Sequence, residues 1–333
     1  MRDRASVAAA GAAGLMFLLV ACGAGSSPPA ASASGSADVK PSAVAAVAVQ
    51  PIAGMVEKRY AISGGPDYIG IGTNSVWVKA DSGLLYRIDP RTGREVAHIL
   101  AAEELCQGLG VMGEEVWTCR GDDIVRIDTS SNKLGPQVVV GKVDDQANIG
   151  IGFGHAWVIA QPGNRLLGIN SATNTIDVTI DLGRSCRDLA VDTTSIWVSC
   201  AIDGLLLRID PAPAGRGVIG VVAGLPGIGQ VSTTDPAGRV WIAYADGIAR
   251  IDPASLTLTG AIDVKAEKGS LLATQDALWV RAKDRFLRRV DPATLALSAE
   301  FTAPQASGGS LGSGFGSLWT SAYDDDVVYR LKG

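Results

Sequence analysis

Apolar and polar positions alternate along this chain in short runs separated by Gly-containing or polar turns. Asp188 to Pro211 shows the unit: Asp188-Leu189-Ala190-Val191, a polar turn, Ile196-Trp197-Val198-Ser199-Cys200, a second turn, then Leu205 to Pro211. Period-two runs bounded by turn residues predict strands. The unit recurs with its tryptophan at Trp77, Trp117, Trp157, Trp197, Trp241, Trp279 and Trp319, at spacings of 40, 40, 40, 44, 38 and 40 residues. An Arg-Ile-Asp-like triplet follows each Trp, as at Arg87-Ile88-Asp89 and Arg208-Ile209-Asp210, and is cut short at Arg330-Leu331. Seven repeats of this length predict an all-β, seven-bladed β-propeller with four-stranded blades. The final repeat supplies three strands and then the chain stops, whereas Val56 to Ile62 is strand-like and has no blade of its own. It is therefore expected to close the ring as an N-terminal velcro strand, the outer strand of blade seven.

Ahead of the repeats the pattern changes twice. Residues 1–21 carry Arg2 and Arg4 followed by an apolar run too short to span a membrane comfortably, which reads as a signal peptide. It ends in Leu19-Val20-Ala21-Cys22, which resembles a bacterial lipobox and implies diacylglyceryl and fatty-acyl (palmitate) attachment at Cys22. An ordinary cleaved leader with a chance Cys is the alternative. Residues 22–54 are rich in Ala, Ser, Gly and Pro and read as a lipidated Cys with a disordered tether, leaving 55–333 as the propeller. The expected address is the extracytoplasmic face of the cell membrane, with the propeller monomeric.

The 41 Gly and 15 Pro suit many tight turns. A net charge of −5 without a basic run argues against nucleic acid as a partner. Four cysteines form two local pairs, Cys106 with Cys119 and Cys186 with Cys200; without Cys-x-x-Cys knuckles they read as disulfides in an exported chain.

The tryptophans could stack on sugars or choline, but their fixed place in the second strand of each repeat suits packing between blades. Asp89, Asp128, Asp210, Asp252 and Asp291 could be imagined as calcium ligands, yet four of the five precede Pro and suit turns. The Arg before them reads as a surface or inter-blade ion pair. Propeller ligands commonly sit over the central channel. The strand entrances on that face present Asp67, Tyr68, Gln107, Asn148, Arg187, Asp188, Gln230, Ser270 and Ser310, either as a binding face or as solvated loop tips. No metal site, cofactor motif or catalytic constellation stands out.

Through Gly70-Ile71-Gly72, Trp77-Val78 and Arg87-Ile88-Asp89-Pro90, with their repeats, the chain resembles YVTN-type seven-bladed propellers and the related virginiamycin B (streptogramin) lyases. The resemblance implies a propeller over about residues 56–333. The lyases use a histidine base with magnesium on the channel face. Of the two histidines here, His98 falls in an outer strand and His155 in a turn at the opposite end. The expected function is a membrane-anchored binding or interaction module for an envelope protein or small ligand, without catalysis; the alternative is a lyase-like C–O lyase or a hydrolase on the channel face.

Overall fold

Strands with apolar residues on both faces must be covered on both, and seven small sheets stacked around an axis achieve this without a separate layer. The computed structural model describes residues 33–34 and 39–333, apart from 103–106, 145–147, 162, 230, 233–234, 265, 267–269, 283 and 305–307. It is a seven-bladed propeller of antiparallel four-stranded blades, each running outward from the axis as strands A to D. Blade 1 consists of Pro66–Ile71, Val76–Ala80, Leu84–Asp89 and Arg94–Leu100. In blade 7, Leu311–Gly314, Ser317–Ala322 and Val327–Lys332 are completed by Val56–Ala61, whose antiparallel register runs from Val56 opposite Leu331 to Ala61 opposite Val327. The velcro strand lies where the repeat count requires it.

All seven tryptophans are buried between blades. Six of them carry an arginine over the ring at 5.2–5.8 Å. The triplet arginines also reach a backbone carbonyl of the next blade: Arg87 donates to Thr129, Arg126 to Ser171, Arg208 to Pro253, and Arg330 to Pro90 across the closure. These arginines are therefore mostly struts between blades, stacked on Trp and bonded to backbone. Arg330 alone of those four adds an ion pair, to Glu57 at 3.0 Å. In blade 3 the arginine position is Gly168, where a Cβ would lie 2.9 Å from Trp157, and His155 tilts against that ring instead. The triplet aspartates accept backbone N–H bonds from the residues two or three beyond them, as Asp89 does from Arg91 and Asp291 from Ala293 and Thr294. They are turn formers.

Strand A needs its glycines for close approach around the axis. A Cβ on Gly70 would lie 2.2 Å from the Val111 side chain, and one on Gly150 would lie 2.5 Å from Leu189.

Cys186 and Cys200 are joined in a disulfide. Cys119 is also disulfide-bonded, while Cys106 lies outside the described residues. A loop of 14 residues is stabilised by about 3 kcal/mol in the chain-entropy view. Replacing Cys186 and Cys200 by Ala should lower the chemical-denaturation stability by about that amount; an unchanged midpoint would show that the link constrains nothing.

The expectation of a disordered tether up to residue 54 needs correction over its second half. Ser42 bridges Ile262 of blade 5, Val49–Pro51 runs parallel to Glu300–Thr302 of blade 6, and Ile52 is buried. Val39, Val44 and Val47 pack against the cores of the same region. Ala33–Ser34 also runs parallel to Val221-Val222 of blade 4. Small residues suit this path because the contacts use backbone groups and a few valines rather than a broad apolar face. The leader, Cys22 and residues 23–32 lie outside the described residues.

Candidate functional site

The loops from strand D to strand A and from strand B to strand C share one end of the ring, and antiparallel pairing fixes which side chains reach it. Tyr68 stands opposite Lys79 in blade 1, two residues before the turn that carries Asp81. The Asp67 carbonyl accepts from Ser310 N at 3.1 Å and from Ser321 Oγ at 2.6 Å, joining blades 1 and 7 at that end. Ser310 Oγ accepts from Ile69 N at 2.7 Å. Gln107 Nε2, at the entrance to blade 2, donates to Asp81 Oδ1 at 2.8 Å. From blade 6, Arg281 is 1% exposed and donates to the carbonyls of Phe286 and Gly308 at 2.9 and 2.8 Å.

Lys79 is 0% exposed, and its ammonium donates to Gly83 O at 3.3 Å. Burial pulls its pKa down to about 8, against the opposing field of Asp81. Burial pushes the Asp67 carboxyl up to about 6; nearby Asp81 adds to this and Arg281 opposes it. Burial likewise lowers Arg281, with Asp67 acting the other way. The Tyr68 phenol is raised well above its ordinary value by burial first and then by Asp188 of blade 4, so the groups around the axis act on one another across blades.

The other described face residues lie around the same axis, and Arg187 and Asp144, like Asp188, act on the Tyr68 phenol. Arg187 pairs with Asp144 at 2.9 Å, and Asp188 accepts from Leu189 N at 2.9 Å. Ser270 is buried and its carbonyl accepts from Arg281 N. Asn148 is half-buried, and Gln230 lies outside the described residues. The structure thus brings Asp67, Tyr68, Gln107 and Ser310 into one cluster, with Arg187 and Asp188 beside Tyr68, and adds Lys79, Asp81, Arg281 and Tyr323, whose phenol is hydrogen-bonded to Asp81 and raised by it; sequence reasoning missed these last four. A signal for two of them was present: the position two after Trp is a cation only in blades 1 and 6, at Lys79 and Arg281, on either side of the closure blade.

The cluster can offer two carboxylates, two buried cations and two phenols to a polar ligand or to a charged loop. Asp67 in its protonated form can donate a hydrogen bond. Among the described residues no group of three or more His, Cys, Asp or Glu is arranged to hold a metal ion. The histidines are elsewhere. His98, in the outer strand of blade 1, meets Glu95 at 2.7 Å; His155 opens strand B of blade 3, at the other end of the ring, with Asp177 at 2.7 Å.

No family model matches the chain, and no curated protein matches it in sequence. Solved structures do resemble it. The Kuenenia stuttgartiensis hydrazine synthase superposes with a TM-score of 0.63 at 14% identity, over 83% of this chain and 97% of that one. The β-propeller domain of Myceliophteria thermophila Cps50 (Swd1) gives 0.70 at 12% identity, over 84% and 99%. The structure of U3-55K gives 0.68 at 12% identity, over 85% and 100%. At such identities the likeness concerns the fold alone.

Proposed function

We propose that this chain is a membrane-anchored, extracytoplasmic binding module that receives an envelope protein or small polar ligand at the face around Asp67. The observation that carries this reading is the burial of Lys79 and Arg281 beside Asp67 and Asp81 at one end of the ring. Burying a lysine on a single long hydrogen bond costs the fold stability, and buried titratable groups with shifted pKa values gathered at one end of the ring point to a candidate site. The finer kinship, with YVTN-type and virginiamycin B lyase-like propellers, rests on the Trp and Arg-Ile-Asp-Pro repeats. The anchor rests on the basic, apolar leader ending at Cys22; two acyl chains hold a protein firmly where one does not.

Crosslinking and pull-down from native membranes tests the site. Wild type should capture a defined partner that both Lys79→Met and Asp67→Asn lose at least tenfold, with each variant still folded; undiminished capture by both would refute the site. The stability of Asp67→Asn supplies an independent, signed check. The folded carboxyl titrates above an unfolded aspartate, so its favourable contribution is complete below about pH 4 and lost as pH rises through about 6. The variant should therefore melt higher than wild type at pH 7.5 and at the same temperature near pH 4.

The anchor has its own test. Cys22→Ser should stop incorporation of labelled fatty acid and shift the protein out of the processed membrane fraction; unchanged labelling would remove lipidation at Cys22. The enzymatic alternative, a C–O lyase or hydrolase on the same face, is favoured by the buried Asp67 carboxyl, pushed up to about 6 and so toward the range in which a general acid or base works. Turnover of a macrocyclic ester or glycoside that Asp67→Asn abolishes would replace the binding reading.

A further inference from the structure

An outer strand presents unpaired N–H and C=O groups that seek a partner. On blades 4, 5 and 6 the chain's own N-terminal segment supplies it, with Ser34 opposite Val222, Ser42 opposite Ile262 and Gln50 opposite Phe301. Val222, Ile262 and Phe301 hold the same place in their blades, facing Leu206, Ile248 and Leu287 of strand C. Each of those strand C residues lies two before the triplet Arg. The segment therefore advances one blade per eight residues and meets the same rim position each time. Eight extended residues reach at most about 28 Å.

The equivalent positions in blades 1 and 2 are Ile99 and Val138, facing Leu85 and Ile124. Their strands, Arg94–Leu100 and Lys133–Val139, have no fifth strand beside them among the described residues. The residue just beyond each position points outward and is large and apolar: Leu100 is 55% exposed and Val139 is 72% exposed. On the covered blades the corresponding residues are Ala223, Asp263 and Thr302. Residues 1–32 lie outside the described residues. The same eight-residue step back from Ser34 counts to 26 for blade 3 and 18 for blade 2, and 18 belongs to the stretch that reads as a signal peptide.

We infer that the outer edges of blades 1 and 2 are a docking rim for an extended, uncharged segment of another protein, added parallel to strand D. It follows the geometry of residues 33–51: backbone pairing at Ile99 and Val138, eight residues apart, with small or β-branched residues against Leu100 and Val139. Main-chain pairing supplies affinity in such strand addition, and side chains on the rim supply selectivity. The surface is separate from the face around Asp67, so the two fail independently.

A fluorescent peptide with the sequence of residues 40–52, which carries two contact positions, tests the rim against the leaderless full chain. The expected result is saturable binding, weakened at least tenfold by Leu100→Lys with Val139→Lys and lost when the peptide backbone is N-methylated. The melting temperature of the variant should stay within a degree or two of wild type, and the control Ile202→Lys should bind normally. Absence of saturable binding up to millimolar peptide overturns the inference. So does binding indifferent to the rim lysines, or photo-crosslinking that maps to blades 4–6. Concentration-dependent self-association that the same lysines abolish would make a second copy the occupant and overturn it equally.

Discussion

Deleting Val56–Ala61 should remove the cooperative thermal transition altogether or lower its midpoint by at least about 15 °C. The strand supplies the outer ladder of blade 7, and Tyr60 stacks on Trp319 with ring centroids 5.5 Å apart. Glu57 also holds the Arg330 guanidinium, which donates to Pro90 O across the junction with blade 1. A ladder of backbone bonds at about 1 kcal/mol each and a buried Tyr at about 2–3 kcal/mol sum to a loss on the order of 8 kcal/mol. That is comparable to the whole stability of a typical domain. Because the strand joins the two ends of the ring, its loss opens the contact between first and last blades instead of fraying one edge. Calorimetry of the deletion decides it: a single sharp transition within a few degrees of wild type would mean that closure does not depend on this strand.

Deleting residues 39–51 should cost about 4 kcal/mol, far more than removal of an unstructured linker. Val39, Val44 and Val47 are partly buried against the cores of blades 4–6, and each contributes on the order of 1 kcal/mol. The pairing of Val49–Pro51 with Glu300–Thr302 adds the remainder. The substitutions Val39→Ser, Val44→Ser and Val47→Ser together keep the chain length and should lower stability by about 3 kcal/mol in urea titration. If deletion and triple substitution both leave the midpoint where it was, the segment is a passive tether after all.

The candidate site was half legible. Asp67, Tyr68, Gln107 and Ser310 could be assigned to one face because strand order and turn position are local properties, counted from each Trp. Lys79 and Arg281 were not singled out, because each is a lone cation in an otherwise apolar strand. Their burial, and the shift of Asp67 that accompanies it, depends on how blades 1, 6 and 7 abut, which residue spacing within a blade does not encode. The triplet arginines were expected in ion pairs. Instead most bond to a backbone carbonyl some 42–45 residues away, an acceptor present at every position and hence invisible in the pattern.

The sequence by itself determined the blade count, the bounds of most strands, the turn role of the Asp-Pro steps and the strand that closes the ring. Each follows from alternation, turn chemistry or a repeat that ends one strand short, and all of these are written in side-chain type at short range. Only the tertiary structure decided where residues 39–54 run, which charges are buried and which outer edges have a fifth strand beside them among the described residues. Parallel pairing along a sheet edge is made by main-chain groups, so it leaves almost no side-chain signature. The burial of a charge is set by neighbours brought together from opposite ends of the chain.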